Sequence, residues 1–485
     1  MSEIADFALI ILAVAGALAL AVGATKLADV VPVPAPAFFL VGAAVLSTLW
    51  PGLRADLSAQ AVERLAVVAL VVILLNGGMD IGWQRMRASL GPVLSLGVLG
   101  TFMTAGIVAV AAHVLLGYDW TIAGIIGAAV APTDPAVVFS VLGRREIEGR
   151  AGTTLEGEAG VNDPAGIALM IGLIELATHP DATFLVVVED FAVEMAVGAA
   201  VGLVAGRLLV TAVPRLRLGS AGLYPIFVLV VAAVVYGAAS LADGSGFLAV
   251  FVAGLLLGDA ITPFKAEIVR FHGALASLAE MVVFLALGLT VSLTGIAGEV
   301  WWHGAVLLLV TALVARPLTV LATLARARLS WAERGFIAWS GLKGAVPILL
   351  AAFAVIAGVA DARTVYGLVF VVVLVSVTGQ GSLVPFVARR LAVPMREQPV
   401  LPWELSVGLS HPPENALVLE VRAGSDAEGR ALGDIADWPE AGWVRMVVRN
   451  GRAMRPHARL ELKAGDQLHL FADEDGRDQL AALVA

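Results

Sequence analysis

The sequence predicts an all-α polytopic membrane protein with a small α+β appendage at its C-terminal end. Three observations predict it. Of the 485 residues, 59% are apolar and only 15% charged; the mean hydropathy is +0.91; and apolar runs of about 18 residues or more, the length that crosses a bilayer, follow one another as far as Arg390. Soluble globular domains do not have this composition. The absence of cysteine excludes disulfides and thiolate metal centres. The formal net charge of −9 gathers largely in the hydrophilic tail and names no partner; a nucleic acid is not expected. No charged segment precedes the first apolar run and no small-residue cleavage pattern follows it, so it reads as a retained helix and not a signal peptide.

The runs fall near 7–25, 36–50, 63–79, 90–116, 120–143, 154–178, 190–213, 220–240, 244–261, 270–293, 301–324, 334–358 and 364–388, which makes about 13 spans. With the N-terminus outside, the inner connections hold Lys26, Arg85, Arg87, Arg144, Arg145, Arg150, Arg207, Arg215, Arg217, Lys265, Arg270, Arg326, Arg328, Arg334, Arg389, Arg390 and Arg396, against Arg54, Arg64 and Arg363 in the outer ones. That asymmetry sets the expected orientation, with the C-terminus in the cytoplasm. One central span leaves two six-helix halves of opposite sense, hence inverted repeats.

The fifth member of each half is interrupted. Span five carries Pro132 and Pro135, and span twelve carries Gly341, Gly344 and Pro347. Proline removes a donor and frees the carbonyl four residues back. Paired broken helices in corresponding places point to a transport site.

Asp134, Asp163 and Lys343 each lie nine or ten residues from the inner end of their spans, about 14 Å deep at ~1.5 Å per residue. Three unpaired charges there would cost on the order of 8–10 kcal/mol, as much as a whole domain's stability. They must pair, be hydrated, or neutralise by taking up a proton. A buried carboxylate that can do so is able to trade a proton for a cation. Asp163 is the expected exchanging group, flanked by the Asn162 amide and by Pro164. Thr133 and Asp134 add the hard oxygens that an alkali cation prefers, although Asp134 has a second available role, neutralising the helix ends at the break in span twelve. Glu158, four residues before Asn162, needs a cationic partner. Lys343 is the expected one, one of only four Lys among 31 Lys and Arg, and Arg316 is its rival. Asn76, before Gly77 and Gly78, lines the cavity or merely accompanies glycines that let helices approach. Glu280 within span ten is a candidate second acid on the path.

At these residues the chain resembles the monovalent cation:proton antiporters of the first cation:proton antiporter family (CPA1), the bacterial NhaP type. The motifs are Thr133-Asp134-Pro135, the Glu158-x-x-x-Asn162-Asp163 run, and Gly341-Leu342-Lys343-Gly344-Ala345. The resemblance implies a 13-helix homodimer in which spans five and twelve cross as broken helices and a core domain moves like an elevator against a dimerisation domain. It implies that Asp163 binds the ion, Thr133 contributes an oxygen, Asn162 and Asp134 organise the crossing, and Glu158 pairs with a basic residue on span twelve. An Asn-Asp pair implies electroneutral exchange. Two departures matter: Ala159 stands where many relatives have Ser, and Lys343 where relatives usually carry Arg. The first removes a candidate oxygen and leaves Na⁺ affinity open, since a looser site tolerates a larger ion such as K⁺; the second replaces a permanently charged fork with a group that can itself titrate when buried.

The expected division is a transmembrane exchanger domain over 1–396, a Pro-containing linker over 397–413 and a cytoplasmic domain over 414–485. Alternating runs at 416–421, 443–448 and 467–471 read as strands, with Gly451, Gly465 and Asp466 at turns. Gly429-x-x-Leu432, Val447-Val448-Arg449-Asn450-Gly451 and Leu462-x-x-Gly465-Asp466 resemble the C-terminal half of domains that regulate K⁺ conductance, written TrkA-C, which implies dimerisation and a small regulatory ligand or nucleotide. No G-x-G-x-x-G occurs, so a dinucleotide fold is not expected.

The expected function is therefore exchange of K⁺ or Na⁺ for H⁺ across a bacterial inner membrane, with no cofactor and no metal beyond the transported cation. The alternatives are a ligand-gated K⁺ channel, which the tail permits, and a Na⁺-specific antiporter. A channel filter needs a short run of stacked carbonyl rings, and nothing like Thr-Val-Gly-Tyr-Gly occurs. An enzyme is not expected, because no H-E-x-x-H or G-x-S-x-G run is present.

Overall fold

The computed structural model describes all residues except 1, 29–30, 32, 53–57, 144, 148, 180–182, 398–415, 436–437, 440–441, 450–451 and 485. Arg54, Arg144, the turn at Asn450-Gly451 and nearly all of the expected linker lie outside the described residues. The chain divides into two compact units, Met1–Leu405 and Ser406–Ala485.

The first unit is helical. Its helices are α1 (Ser2–Ala28), α2 (Ala35–Leu49), α3 (Ala59–Ile81), α4 (Leu90–Leu116), α5 (Trp120–Val130), α6 (Pro135–Leu142), α7 (Arg150–Thr178), α8 (Phe184–Ala212), α9 (Leu223–Leu241), α10 (Gly246–Gly258), α11 (Lys265–Leu289), α12 (Gly298–Thr323), α13 (Trp331–Trp339), α14 (Ala345–Ile356) and α15 (Ala362–Arg390). Among the described residues nine stretches are long and apolar enough to cross a membrane, α5 and α6 counting together, and four shorter apolar helices accompany them. Helix ends follow local chemistry: the Ser58 hydroxyl caps α3 by accepting from the Ala61 amide, Ser330 and Glu333 form a reciprocal capping box on α13, and Gly117, in the left-handed region, closes α4.

Close helix approach is bought with small residues, since lipid offers no hydrophobic drive for helix association. A Cβ on Gly78 of α3 would lie 2.5 Å from the Phe251 carbonyl oxygen of α10, and one on Gly254 or Gly258 of α10 would lie 2.6 Å from Leu75 O or Met79 O of α3. On the other flank, Gly198 and Gly202 of α8 meet the Ser245 and Ala249 carbonyls at 2.5 Å in the same sense. The apolar α10 is thus held between α3 and α8, and α11 lies against α2 and α3.

Two features were not expected. Five-residue π-helical turns interrupt α4 at Ser95–Leu99, α12 at Thr311–Ala315 and α15 at Ser376–Gln380. Short strands β1 (Arg145–Ile147) and β2 (Met395–Glu397) pair antiparallel, tying the connection between α6 and α7 to the expected boundary between exchanger domain and linker. Pro347 is also displaced from its expected place. It lies in the first turn of α14, as Pro135 lies at the first position of α6, each bordering its break and not in it; there the missing N–H has no intrahelical acceptor to lose.

The second unit is a four-stranded antiparallel sheet in the order β3 (Ala416–Glu420), β6 (Gln467–Phe471), β4 (Trp443–Arg449), β5 (Arg452–Met454), followed by α16 (Glu474–Val484). Val447, Leu468, Leu470 and Leu480 fill its core. Arg449 grips the fully buried Asp466 through two bonds of 2.7 Å, and Asp466 also accepts from the Lys463 amide.

Candidate ion-exchange site

The site is built where two helices stop in mid-bundle. α5 ends at Val130, Ala131–Asp134 run without helix, and α6 resumes at Pro135; α13 ends at Trp339, Ser340–Gly344 run without helix, and α14 resumes at Ala345. The two breaks touch: the Asp134 amide donates to the Leu342 carbonyl at 2.9 Å.

Broken helices present unsatisfied carbonyls at C-terminal ends and amides at N-terminal ends, with partial charges to match. The buried charges sit accordingly. Lys343 Nζ donates to the carbonyls of Ala131 and Pro132, both at 3.1 Å, just past the end of α5. Asp134 Oδ1 accepts from the Ala136 amide at 2.9 Å and so caps α6. Its other oxygen lies against Gly344 at the start of α14, where no Cβ could be accommodated. The π turn of α15 finishes the second break: Gln380 Nε2 donates to Trp339 O at 2.7 Å, and the Ser376 hydroxyl accepts from the Lys343 amide at 3.1 Å.

Behind the crossing lies a buried ion pair. Arg316 Nη1 and Nη2 meet the two carboxylate oxygens of Glu158 at 2.5 and 2.6 Å, with the residues 3% and 2% exposed. Gly341 makes room for this arginine, since a Cβ there would lie 2.5 Å from its Nε. The expected pairing of Glu158 with Lys343 on the second broken helix is therefore corrected: the partner is Arg316 of α12, whose planar fork matches a carboxylate, while the lysine ammonium is used on helix-end carbonyls. Thr133 Oγ1 donates to Glu158 Oε1 at 3.3 Å and accepts from Asn162 Nδ2 at 2.8 Å. Its hydroxyl is engaged in this network and does not line the cavity described next.

In front of the crossing is a cavity of about 280 Å³ lined by Asp163, Asp134, Asn76, Asp80, Glu156 and Glu280, among others. Ala159 and Gly160 line it as well, Ala159 presenting a methyl where a hydroxyl would add an oxygen. Asp163 is 9% exposed, and no described residue hydrogen-bonds to its carboxylate. The charges of Asp134, Glu158 and Lys343 act on it. Asn76 Nδ2 donates to Asp80 Oδ2 at 2.7 Å, while Asn76 Oδ1 and Glu280 Oε1 are buried without a partner. At the far end of the bundle, α11 and α15 are joined by a 2.5 Å bond between Thr290 Oγ1 and the Tyr366 hydroxyl.

The structure thus separates the expected residues into two groups. Asp163, Asp134, Asn76 and Glu280 face the cavity; Thr133, Asn162, Glu158, Arg316 and Lys343 form the scaffold behind it. Sequence reasoning missed Ser376 and Gln380. Their signal was present, a polar Ser376-x-Thr378-x-Gln380 cluster ending a long apolar run, with Ser376 and Gln380 four residues apart on one helical face.

Residues 8–390 match the family described as sodium/hydrogen exchanger, transmembrane. The chain is 33% identical over 423 residues to the K(+)/H(+) antiporter NhaP2 of Shewanella sp. (strain ANA-3), covering 86% of this chain and 73% of that protein. It is 37% identical over 339 residues to the K(+)/H(+) antiporter NhaP of Alkalimonas amylolytica, 68% of this chain and 58% of that one. The fold is similar to the sodium proton antiporter MjNhaP1 from Methanocaldococcus jannaschii, with a TM-score of 0.64 at 21% identity over 78% of this chain and 99% of the other. A match over most of the chain, together with the two crossed breaks that its own motifs build, makes this chain a member of the sodium/hydrogen exchanger family.

Proposed function

We propose that the protein is a monovalent cation:proton antiporter that carries K⁺ against H⁺, with Asp163 holding the proton and the cation in alternation. One observation carries this reading: Asp163 is the carboxylate at the crossing that has no protein partner, yet it faces a cavity. Arg316 answers Glu158, and helix ends answer Lys343 and Asp134. A buried carboxylate left alone takes up a proton or a metal cation.

A single exchanging carboxylate, with the neutral Asn162 beside it, supports electroneutral one-for-one exchange. K⁺ is favoured over Na⁺ because Ala159 supplies no hydroxyl and so leaves a looser site that tolerates the larger, more easily dehydrated ion; the names of the two relatives agree. The Na⁺-specific alternative rests on the name of the structural neighbour.

In this reading the nine long and four shorter apolar helices supply thirteen spans in two inverted repeats. The N-terminus lies outside, and the C-terminal domain lies in the cytoplasm of a bacterium whose inner membrane holds the protein as a homodimer. The cavity then opens inward, at the end where Asp80 is exposed, and the bond between Thr290 and Tyr366 closes the outer side. Transport proceeds as the helices bearing the crossing slide against α2, α3 and α11. Residues 1–396 form the exchanger, 397–413 the linker, and 414–485 a TrkA-C-like regulatory domain that binds a small ligand or nucleotide.

Proton flux in proteoliposomes carrying an imposed pH gradient tests the proposal, with KCl, NaCl, LiCl or choline chloride added in turn and valinomycin setting the voltage. Cation-dependent flux indifferent to voltage is expected, greatest with K⁺. Voltage-driven cation current without proton movement would show a channel instead.

A further inference from the structure

We propose that Glu280 is a second cation-binding carboxylate, fixed in the wall of the cavity opposite Asp163, which takes the alkali cation from the side to which the cavity opens and sets apparent affinity on that side. The inference rests on the antiport reading and adds a residue to its site.

Glu280 lies on α11 and lines the same cavity as Asp163 and Asp134. Its Oε1 is buried and has no hydrogen-bond partner among the described residues. Burying a carboxylate oxygen without a partner is costly, and removal of the group by a neutral side chain would relieve that cost. Beyond Arg270, α11 carries no charge but Glu280, which stands between Ser277 and Phe284 and lines a largely apolar cavity that also holds Asp134 and Asp163. Asn76 Oδ1 on the adjoining α3 is orphaned in the same way, and its amide is held in place by Asp80. Oxygens without donors, converging on one cavity, suit a dehydrated cation that accepts several hard ligands at once. An apolar or anionic occupant would leave them unanswered.

The placement of α11 decides what kind of ligand this is. α11 packs chiefly on α2 and α3 and only marginally on α14 of the second broken helix. Asp163 belongs to α7, which packs against α5 and holds the crossing through Thr133 and Arg316. If the crossing moves relative to α11, Asp163 travels with the ion and Glu280 stays. A stationary carboxylate adds affinity where the cavity is open and is not carried across the membrane, so it leaves the exchange ratio at one to one.

The test is cation-dependent proton flux in inside-out and right-side-out membrane vesicles from cells expressing wild type, Glu280→Gln, Glu280→Asp or Asp163→Asn. Loss of one charged oxygen ligand should raise the half-saturating K⁺ concentration about tenfold or more on the side of the cavity, and less than about twofold on the other. Glu280→Asp should recover most of the difference. K⁺-dependent thermal stabilisation of the purified proteins supplies a readout that needs no transport, and it should shift to higher K⁺ in Glu280→Gln. Unchanged half-saturation, or an equal rise on both sides, overturns the proposal, the latter marking a structural residue. Absence of cation-dependent flux in wild type would instead remove the antiport reading, and this proposal with it.

Discussion

Replacing Arg316 by methionine keeps an unbranched apolar stem and removes the charged head. Glu158, 2% exposed, would lose both short bonds and keep one contact, the 3.3 Å bond from the Thr133 hydroxyl. Stranding one member of a buried ion pair costs about 3–5 kcal/mol, on the order of a third of a domain's whole stability. Glu158→Gln alone should cost a similar amount, because the guanidinium is then stranded. The double variant removes both charges, so its cost should fall short of the sum by about 2 kcal/mol or more. The same cycle run between Glu158 and Lys343 should show the smaller coupling, since Lys343 spends its donors on the Ala131 and Pro132 carbonyls. Denaturant unfolding of the detergent-purified protein, followed by tryptophan fluorescence, measures both cycles. A larger coupling for Lys343 than for Arg316 would refute the assignment of the pair.

Asp163→Asn should abolish cation-dependent proton flux while yield and elution on size exclusion stay those of wild type; residual exchange would displace Asp163 from the centre of the mechanism. Gly344→Ala should lose flux and lower the melting temperature, because the added methyl occupies the place of the Asp134 carboxylate, whereas Gly237→Ala, which meets nothing within 4 Å and lies outside the cavity, should behave as wild type in both assays. Deleting 406–485 should leave exchange in place and change its dependence on cytoplasmic pH or ligand; complete loss of flux from well-folded protein would make the second unit structural.

Hydrophobic runs determine helices in a membrane protein almost by themselves, because hydrocarbon forces every backbone group to be satisfied within its own segment. The helices accordingly lie where the runs lie, and the strands of the tail follow the alternation at 416–421, 443–448 and 467–471. Proline and glycine likewise marked both breaks in advance, since a missing N–H or a missing Cβ acts locally. Pro347 was misplaced by the same reasoning: a proline in a first helical turn and one in a break look alike until the helix start is known.

Which charges meet is a different kind of question. Lys343 and Arg316 offered Glu158 the same sign at comparable depth, and depth was all that spacing along the chain could rank. The choice was made by the crossing. Once the ends of α5 meet the second break, their carbonyls claim the ammonium, and Gly341 leaves the guanidinium a channel to Glu158. Thr133 and Asn162 were recognisable as polar groups of the site, but only the tertiary structure turned them towards Glu158 and each other and away from the cavity. The residues that hold the crossing together, Ser376 and Gln380, lie more than thirty positions from the break they serve, and a π turn was needed to aim them. The sequence by itself determined the membrane helices, the two breaks and which acids lie at mid-depth, because each follows from local chemistry against an apolar solvent. The tertiary structure decided the pairing of charges and the division between scaffold and cavity, because those depend on which helix ends are brought together and on the direction in which each side chain then points.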